Sequence, residues 1–559
     1  MGGWAPASAP PTASVRRRAV RARGPARPTA AAELAAGAPE KLAAPIRRTP
    51  HLDMPPEPLQ PGTTFEVLVY VDQKAARTGE ETADVEVETG SEVEIQLIVS
   101  KHFRVNGSAV TTMEIKDEPR SDAKQRFSVS VLPKNELPKD IPPGLIAQFF
   151  YKGRPSGKVS RAVRIAGVAT QAITPTRERV EVQEGTAADL TVVVVGVAND
   201  GRQFSCTVRS PWLEKYKVGV IEPWNLPQAA EDIVLDFMER ITADAITPGM
   251  LLAELRGQGR QLFDSSPKNF QQAFWDLIDS GHEIKRIALV TQEPYIPWEL
   301  MIPYRWVDGK RQQRGALGTE FSFGRWPTPY GISARQKIPL VDSFVISPVY
   351  APPLSFAQDE ANLVKNSFAG EIITPANFDN IEKNLGGQGK SLVHFCCHGE
   401  DQETLIAAIG SRNETEQDKR TRSRVQIIRL ENGQTLNSTQ ILGMAGVDTI
   451  FEQKHPLVFL NACEVGRGIP ALLGVGGFAK SFLDLGASAV IAPLWSVKDT
   501  IAHEIAETFY KRVKAEPNTP FAEILRDLRR KAYTPGEAQD TYAAYCFYGD
   551  PGASRASDG

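Results

Sequence analysis

Residues 391–399 read Ser-Leu-Val-His-Phe-Cys-Cys-His-Gly, an apolar run that stops at His398 and Gly399. Residues 456–463 read Pro-Leu-Val-Phe-Leu-Asn-Ala-Cys, a second apolar run that stops at Cys463. Short apolar runs between chain-breaking residues are typical of buried strands in a parallel sheet. Functional side chains of open α/β sheets gather at the carboxyl ends of such strands. We therefore predict that His398 and Cys463 lie on neighbouring strand ends, where an imidazole and a thiol can act together as base and nucleophile.

The sequence around these two runs alternates between strand and helix patterns. The pattern predicts strands at 342–347 and 489–493, and helices at 359–368, 478–485 and 500–513, with Leu363 facing the core. Strands and helices that alternate in this way indicate an α/β region with a mostly parallel sheet flanked by helices on both sides.

The earlier part of the chain has a different pattern. Apolar residues recur at every second position in several short runs between Pro61 and Gly167, with turn-forming clusters between them. This spacing, without a helical pattern, predicts an all-β sandwich. We find no catalytic constellation there, and an interaction role is the default interpretation.

The first 50 residues are rich in Ala, Pro and Arg and poor in large apolar side chains. A segment of this composition cannot bury a core, so we predict a disordered tail. A signal peptide is excluded because no apolar stretch follows Arg16-Arg17-Arg18. A transit peptide fits the composition only weakly, and a solvated tail is the simpler interpretation.

Bulk properties narrow the function. The net charge of −3 does not favour binding to nucleic acid. The longest apolar stretches are too short to span a bilayer. Five cysteines give no disulfide framework, so we expect a reducing, cytoplasmic setting in which a free thiol stays active.

The two motifs belong to a larger set that resembles the CHAT-domain family, caspase-like cysteine peptidases related to caspases and separase. The matching blocks are His-Phe-Cys-Cys-His-Gly at 394–399, Asn-Ala-Cys-Glu-Val-Gly at 461–466, residues 486–499, Tyr-Gly-Asp-Pro at 548–551 and Pro-Trp-Glu-Leu at 297–300. Several blocks in the family's order are far more specific than one. The resemblance covers about 176–551, without the tail or the sandwich, and the TPR repeats that often accompany the family are missing.

The resemblance implies a caspase-like α/β fold and a cysteine endopeptidase that needs no cofactor. Cys463 would be the nucleophile, and His398 the base towards the thiol or the acid towards the leaving amine. The backbone N–H groups of Gly399 and Cys463 would form an oxyanion hole. Without the motif context, Cys463 would be interpreted as a core residue and His398 as a satisfied polar residue.

Asp499 has two interpretations. It directly precedes the predicted helix at 500–513, where it would be an N-cap. The resemblance to separase-like relatives instead implies a substrate-binding carboxylate in the S1 pocket, which would favour Arg or Lys at P1. Glu400 and Glu464 either line the same cleft or are solvated charges.

Two other motifs favour structural interpretations. Cys396 and Cys397 sit near His394 and His398, but adjacent strand residues point to opposite faces, so we predict no metal site. Residues 474–477 read Gly-Val-Gly-Gly, and a turn is a better interpretation than a phosphate loop because no Lys-Ser/Thr follows.

A polar segment with several arginines, Ser411 to Arg424, lies between the two motifs. It is either a solvated insertion or a regulatory loop that the enzyme cuts itself.

The predicted organisation has four parts: a disordered tail over 1–55, a β-sandwich over 56–172, the N-terminal part of the CHAT region over 173–335 and its catalytic part over 336–559. The expected partners are a protein substrate and an activating protein bound through the sandwich, with no direct nucleic-acid contact. By resemblance, a role in bacterial defence or cell death follows. The alternatives are a non-enzymatic caspase-like scaffold, and a hydrolase or transferase that uses the same Cys/His pair on another acyl substrate.

Overall fold

The computed structural model describes the chain from Ile46 to Ala556 with internal gaps. Outside the described residues lie 1–45, 78, 88–89, 101, 117–123, 138–142, 152, 169–180, 183–186, 197–200, 244–245, 294, 328–332, 404–423, 464–476, 496 and 557–559. The predicted tail therefore lies outside the description up to residue 45, and so does the predicted loop from Ser411 up to residue 423.

Two antiparallel sheets pack face to face in the first part of the described chain. Their strands are β1 (Ile46–Asp53), β2 (Thr64–Asp72), β3 (Glu80–Ala83), β4 (Val85–Val87), β5 (Ser91–Val99), β6 (Phe103–Asn106), β7 (Val110–Ile115), β8 (Gln125–Val131), β9 (Gly144–Tyr151) and β10 (Arg154–Ala162). The strand order is β4-β1-β2-β8-β6 in the outer sheet and β3-β10-β9-β5-β7 in the inner sheet.

Alternate residues of these strands fill the space between the two sheets. Val67, Val69 and Val129 from the outer sheet meet Val93 and Ile95 from the inner sheet, and all five side chains are fully buried. Burial stabilises each such side chain by about 1.5–3 kcal/mol relative to exposure. The predicted all-β sandwich is confirmed.

The tail that was predicted to reach residue 55 is wrong at its end, because Ile46–Asp53 forms β1 between β2 and β4. Polar residues inside this strand conceal its pattern. His51 is buried, with Nδ1 2.9 Å from Oε2 of Glu80 and Nε2 2.9 Å from Oδ1 of Asp72. Burial alone would lower the pKa of His51, but the two carboxylates raise it above its usual value. Glu80 belongs to the inner sheet, so this cluster also joins the two sheets.

A single large sheet organises the rest of the chain. Its strands and the short accessory strands are β11 (Glu181–Val182), β12 (Leu190–Gly196), β13 (Gln203–Arg209), β14 (Val220–Asn225), β15 (Arg286–Thr291), β16 (Tyr304–Val307), β17 (Lys310–Gln313), β18 (Ser322–Pro327), β19 (Ser333–Ala334), β20 (Lys337–Ile338), β21 (Ser343–Ile346), β22 (Glu371–Ile373), β23 (Leu392–Glu403), β24 (Arg424–Arg429), β25 (Thr435–Asn437), β26 (Leu457–Cys463), β27 (Ala489–Pro493), β28 (Tyr545–Tyr548) and β29 (Ser554–Arg555). Within the described residues the central sheet has thirteen strands: β14-β13-β12-β15-β18-β28-β27-β26-β23-β21-β22 in order, with β24 and β25 branching from β23.

The central sheet consists of two halves that run in opposite directions. Strands β12, β15 and β18 are mutually parallel, and so are β22, β21, β23, β26 and β27. Between them lies β28, parallel to β18 and antiparallel to β27. The carboxyl ends of the two halves therefore lie at opposite edges of the sheet.

Helices pack on both faces of this sheet. They are α1 (Glu214–Lys217), α2 (Ala230–Ile241), α3 (Pro248–Ser265), α4 (Lys268–Asp279), α5 (Leu317–Glu320), α6 (Ala357–Ser367), α7 (Phe378–Gly387), α8 (Ser438–Gly443), α9 (Val447–Lys454), α10 (Phe478–Asp484), α11 (Asp499–Ala515), α12 (Phe521–Arg529) and α13 (Thr541–Ala544). Helices α2, α3, α4, α6, α11 and α12 pack on the first face, and α7 to α10 on the second. The predicted α/β class is confirmed, with a mixed sheet in which β13, β14 and β24 run antiparallel to their neighbours.

A buried ion pair sits where the two halves meet. Nε of Arg325 on β18 donates to Oε1 of Glu299 at 2.7 Å, and Nη2 donates to the carbonyl of Ile296 at 3.0 Å. The thiol of Cys546 on β28 donates to the same carboxylate at 3.2 Å. Burial alone would raise the pKa of Glu299, but Arg325 lowers it. Glu299 of the Pro-Trp-Glu-Leu block thus places a buried, paired carboxylate where the two halves of the central sheet meet.

The inner sheet of the sandwich packs against the central sheet through buried polar groups. Arg209 on β13 pairs with Glu94, donates to Oε1 of Gln96 at 2.9 Å and lies 4.0 Å from the ring centre of Phe150. Nε2 of Gln96 donates to Oγ1 of Thr207 at 2.9 Å.

Apolar and ionic contacts extend the same interface. Phe150 belongs to one buried cluster with Val193, Val290 and Trp326 of the central sheet. Arg154 of β10 pairs with Asp550 at 2.8 Å, and both side chains are buried. The sandwich therefore takes the place of helices on this part of the second face.

Within the part of the chain that the structure describes, we find no helix with the length and apolar character needed to cross a bilayer.

We expect Arg209→Leu to lower the free energy of unfolding by about 3–5 kcal/mol at neutral pH, because it leaves the Glu94 carboxylate buried without its cation. Denaturant unfolding followed by tryptophan fluorescence would measure the change. Arg126→Leu is the matched control: its pair with Glu66 is 71% and 62% exposed, so the cost should stay below about 1 kcal/mol. Equal costs for the two variants would contradict the role of the buried pair.

Candidate active site

The structure brings the backbones of His398 and Cys463 together. Strands β23 and β26 are adjacent and parallel, and their register places His398 opposite Cys463. Cys463 is the last residue of β26, and beyond His398 strand β23 turns from β26 to pair with β24. Both residues thus stand where the pairing of β23 with β26 ends, at neighbouring strand positions as the motifs predicted. The side chain of Cys463 lies outside the described part of the structure.

A tyrosine borders His398 on its other side. The imidazole is half-buried, and its ring centre lies 4.5 Å from that of Tyr350. The backbone N–H of His398 donates to the Tyr350 hydroxyl at 3.0 Å, and this hydroxyl donates to the carbonyl of Arg429 at 2.8 Å. Tyr350 therefore contacts His398 at both its imidazole ring and its backbone N–H.

Gly399 lies against the residue that precedes Cys463. A Cβ added at Gly399 would stand 3.1 Å from Cβ of Ala462, closer than most carbon contacts in proteins. Small residues at 399 and 462 thus allow the two strand ends to approach each other.

A buried carboxylate connects the two strands beneath this pair. Oε1 of Glu360 on α6 lies 2.7 Å from Nε2 of His394, and the amide of Asn461 donates to both carboxylate oxygens at 2.7 and 2.9 Å. The thiol of Cys396 donates to Oε1 at 3.4 Å, and Nδ1 of His503 lies 3.6 Å from Oε2. His394 and Cys396 belong to the strand of His398, and Asn461 belongs to the strand of Cys463.

The charge of Glu360 is held by these neighbours. Burial alone would raise its pKa, but hydrogen bonds from His394 and Asn461, together with the nearby imidazole of His503, lower it to about 2. Glu360 in turn raises the pKa of His503, whose ring stacks on Phe356 and is partly exposed. The buried carboxylate of Glu360 is therefore coupled to His503, a titratable group near the surface.

The network continues into the surrounding helices and β28. Nδ1 of His394 lies 2.8 Å from the hydroxyl of Tyr510 on α11. The amide of Asn461 also donates to the carbonyl of Ala502 at 3.2 Å, and its oxygen accepts from the hydroxyl of Tyr545. Two helices and three strands are thus joined around the base of the candidate site.

Asp499 lies at the same edge of the sheet but is not an N-cap. Lys498 occupies the N-cap position of α11 without a side-chain cap bond, and Asp499 is the first helical residue. The N-cap interpretation is therefore wrong by one position. Its half-exposed carboxylate still stands in the first turn, where the helix dipole favours negative charge.

A second carboxylate near this helix start escaped the sequence analysis. Asp540 is buried, and Nζ of Lys498 lies 3.8 Å from its Oδ1. Burial raises the pKa of Asp540, although Lys498 opposes the shift. The backbone N–H of Lys498 donates to Oγ1 of Thr541 at 3.0 Å, which anchors the segment that carries Asp499.

Cys396 and Cys397 point to opposite faces, as strand alternation predicted. Cys396 faces Glu360, whereas the thiol of Cys397 donates to the carbonyl of Ile346 at 3.5 Å. Ligand atoms of Glu360, His394 and Cys396 lie within 4.8 Å of one another, close enough to share a metal ion. All three already take part in the hydrogen bonds above, so a metal would have to replace those bonds.

Several residues named from the sequence lie outside the description. These are Glu464, the loop residues from Ser411 to 423 and residues 474–476; of Glu400 only the backbone, in β23, is described.

Sequence reasoning missed Tyr350 and Glu360. Helix α6 was predicted with Leu363 facing the core, but Leu363 is only half-buried, while Val364 and Glu360 are buried. The spacing of four residues between Glu360 and Val364 was the available signal. A charged residue on an apolar helix face indicates a buried partner.

Comparison with known proteins agrees with the motif resemblance. The family model described as CHAT domain matches residues 169–550. No curated protein matches the chain.

Solved structures with partial similarity include two peptidase complexes. The complex of Porphyromonas gingivalis RgpB pro- and mature domains is 14% identical, with 58% of this chain and 75% of that chain covered and a TM-score of 0.31. The Saccharomyces cerevisiae separase–securin complex is 11% identical, with 65% of this chain covered and a TM-score of 0.37. The chain spans 30% of the length of that yeast chain.

We expect Glu360→Gln to lower the free energy of unfolding by about 3 kcal/mol between pH 4.5 and 6.5, which corresponds to a pKa moved from 4.5 to about 2. A carboxylate whose pKa is lowered by folding stabilises the protein above its unfolded pKa. The loss of stability in the variant should therefore become smaller as the pH falls towards 2. A histidine whose pKa is raised by folding stabilises the protein below its unfolded pKa. The loss of stability in the variant should therefore also become smaller as the pH rises through the pKa of His503.

Denaturant titrations across this pH range would measure the deficit. Glu507→Gln, which removes a carboxylate from a surface pair with Lys511 on the same helix, α11, serves as control and should cost less than about 1 kcal/mol at every pH. A flat pH profile for Glu360→Gln would contradict the assignment.

Proposed function

The chain belongs to the CHAT-domain family of caspase-like peptidases, and from this premise we propose that it is a cysteine endopeptidase that cuts a specific protein substrate. The register that sets His398 opposite Cys463 at the ends of adjacent strands is the observation that supports this most directly. A nucleophile and a base must stand within reach of each other, and neighbouring strand ends provide that proximity.

In the proposed reaction, the Cys463 sulfur attacks the scissile carbonyl carbon. His398 takes the thiol proton and gives it to the leaving amine as the C–N bond breaks. Water, deprotonated by His398, then attacks the thioester, and the released sulfur regains a proton. No cofactor enters these steps.

The oxyanion is proposed to be held by the backbone N–H groups of Gly399 and Cys463. The close approach of Gly399 to Ala462 supports this role, because both amides belong to segments that meet at this point. Loss of one such donor typically slows acyl transfer by about 10²–10³-fold.

Asp499 is proposed to bind a basic P1 side chain. Its half-exposed carboxylate stands at the start of α11, just after β27, the strand next to that of Cys463. A carboxylate in this place attracts the guanidinium or ammonium group of Arg or Lys.

The remaining cysteines fit a reducing compartment. Cys206, Cys396, Cys397 and Cys546 are all buried free thiols, and a cytoplasmic setting would keep Cys463 reduced as well.

The sandwich is proposed to recruit an activating protein. Its inner sheet is occupied by the contact with the central sheet, so the outer sheet, which contains β1 and β2, is the surface left for a partner. A role in bacterial defence or cell death follows from the family resemblance.

We expect Cys463→Ala and His398→Ala to abolish peptidase activity, since each removes one member of the dyad. New protein N-termini in cells that express wild-type chain, compared with cells that express Cys463→Ala, would reveal the cuts and their P1 residues. Cys206→Ala is the matched control, because this buried thiol lies in the other half of the sheet. Identical cuts with wild type and Cys463→Ala would overturn the peptidase proposal.

We expect Asp499→Asn to reduce kcat/KM for cleavage after Arg or Lys by about tenfold or more, because a neutral amide no longer pairs with a basic P1 group. Peptides that differ only at P1, assayed with wild type and variant, would measure the change. Asp499→Glu should restore part of the preference. A uniform loss across all P1 residues would contradict a specificity role.

A further inference from the structure

Strand β23 changes partners at His398. On one side, β21 accompanies it only as far as the pairing of Ile346 with Phe395. From Gly399 onward β23 pairs with β24 instead, beginning with Ile428. His398 stands between these two pairings, opposite Cys463 of β26.

The hydroxyl of Tyr350 bridges this gap. It accepts the backbone N–H of His398 at 3.0 Å, as a strand carbonyl would, and donates to the carbonyl of Arg429 at the end of β24 at 2.8 Å. Tyr350 lies four residues after the end of β21, so its side chain connects this strand with β23 and β24. Burial raises the pKa of the Tyr350 hydroxyl, which therefore keeps the proton that it donates.

The ring of Tyr350 restricts the same residue in a second way. Its centre lies 4.5 Å from that of the His398 imidazole, with the two planes inclined at 55°. Side chains that act in catalysis need partners of this kind, because a small displacement of the acting group costs much of its rate.

We propose that Tyr350 is the positioning residue of His398, holding the backbone through its hydroxyl and the imidazole through its ring. This inference rests on the proposed function, in which His398 takes the proton of Cys463. Tyr350 acts through His398, which it contacts with both its hydroxyl and its ring.

The two contacts can be removed separately. Tyr350→Phe keeps the ring and removes both hydrogen bonds, whereas Tyr350→Leu removes the ring as well. Tyr304→Phe is the matched control, since it removes a 2.7 Å hydrogen bond from tyrosine hydroxyl to Asp264 in the other half of the protein.

The test is the rate at which iodoacetamide alkylates Cys463 in the full chain from pH 6 to 10, followed by mass spectrometry of the peptide that contains it. The four described cysteines are buried and should react slowly. Near neutral pH, we expect Tyr350→Phe to react about tenfold more slowly than wild type and Tyr350→Leu more slowly still. At high pH the rates should converge, because the thiol then ionises without the base.

The variant His398→Ala distinguishes failure of the Tyr350 positioning role from failure of the proposed Cys463/His398 dyad. If it slows alkylation near neutral pH while both Tyr350 variants match wild type, the positioning role is overturned and the Cys/His dyad stands. If His398→Ala itself reacts like wild type, the dyad fails and the inference falls with it. Slower reaction of Tyr350→Phe at every pH, or an equal loss in Tyr304→Phe, would indicate general damage and also overturn the role.

Discussion

A carboxylate that is removed from water must be surrounded by donors, and Glu360 meets this requirement with groups from both strands of the candidate site. His394 belongs to the strand of His398, and Asn461 belongs to the strand of Cys463. A slip of β23 against β26 would separate these donors from the one carboxylate that they share. The buried charge therefore specifies the register in which the proposed base and nucleophile face each other.

The candidate site stands where regular pairing ends. Parallel strands provide evenly spaced partners, and His398 lies three residues after Phe395, the last residue of β23 that pairs with β21. The side chain of Tyr350 completes the bonding there, and Gly399 provides the close approach that the bend requires. The same arrangement leaves the half-buried imidazole of His398 beside the end of β26.

The sequence was most informative where apolar runs were bounded by breakers. The strand predicted at 489–493 is β27 as observed, and the two motif strands are neighbours. Buried polar residues could not be recognised from the sequence: the tail prediction includes β1 because Arg47, Arg48 and the buried His51 interrupt its apolar pattern. Glu360 was missed for the same reason, since its partners are distant in sequence. The opposed directions of the two sheet halves depend on β28, whose position no local pattern reveals.

The position of β28 also has a consequence for biosynthesis. Tyr545–Tyr548 lies in the middle of the central sheet, between β18 and β27, although nearly all the other strands precede it along the chain. On the ribosome, where chains grow at about 5–20 residues per second, the two halves cannot join into one sheet until this strand emerges. The hydroxyl of Tyr545 reaches Asn461 only then. A nascent chain thus acquires the contacts around the candidate site only after Tyr548 has been synthesised.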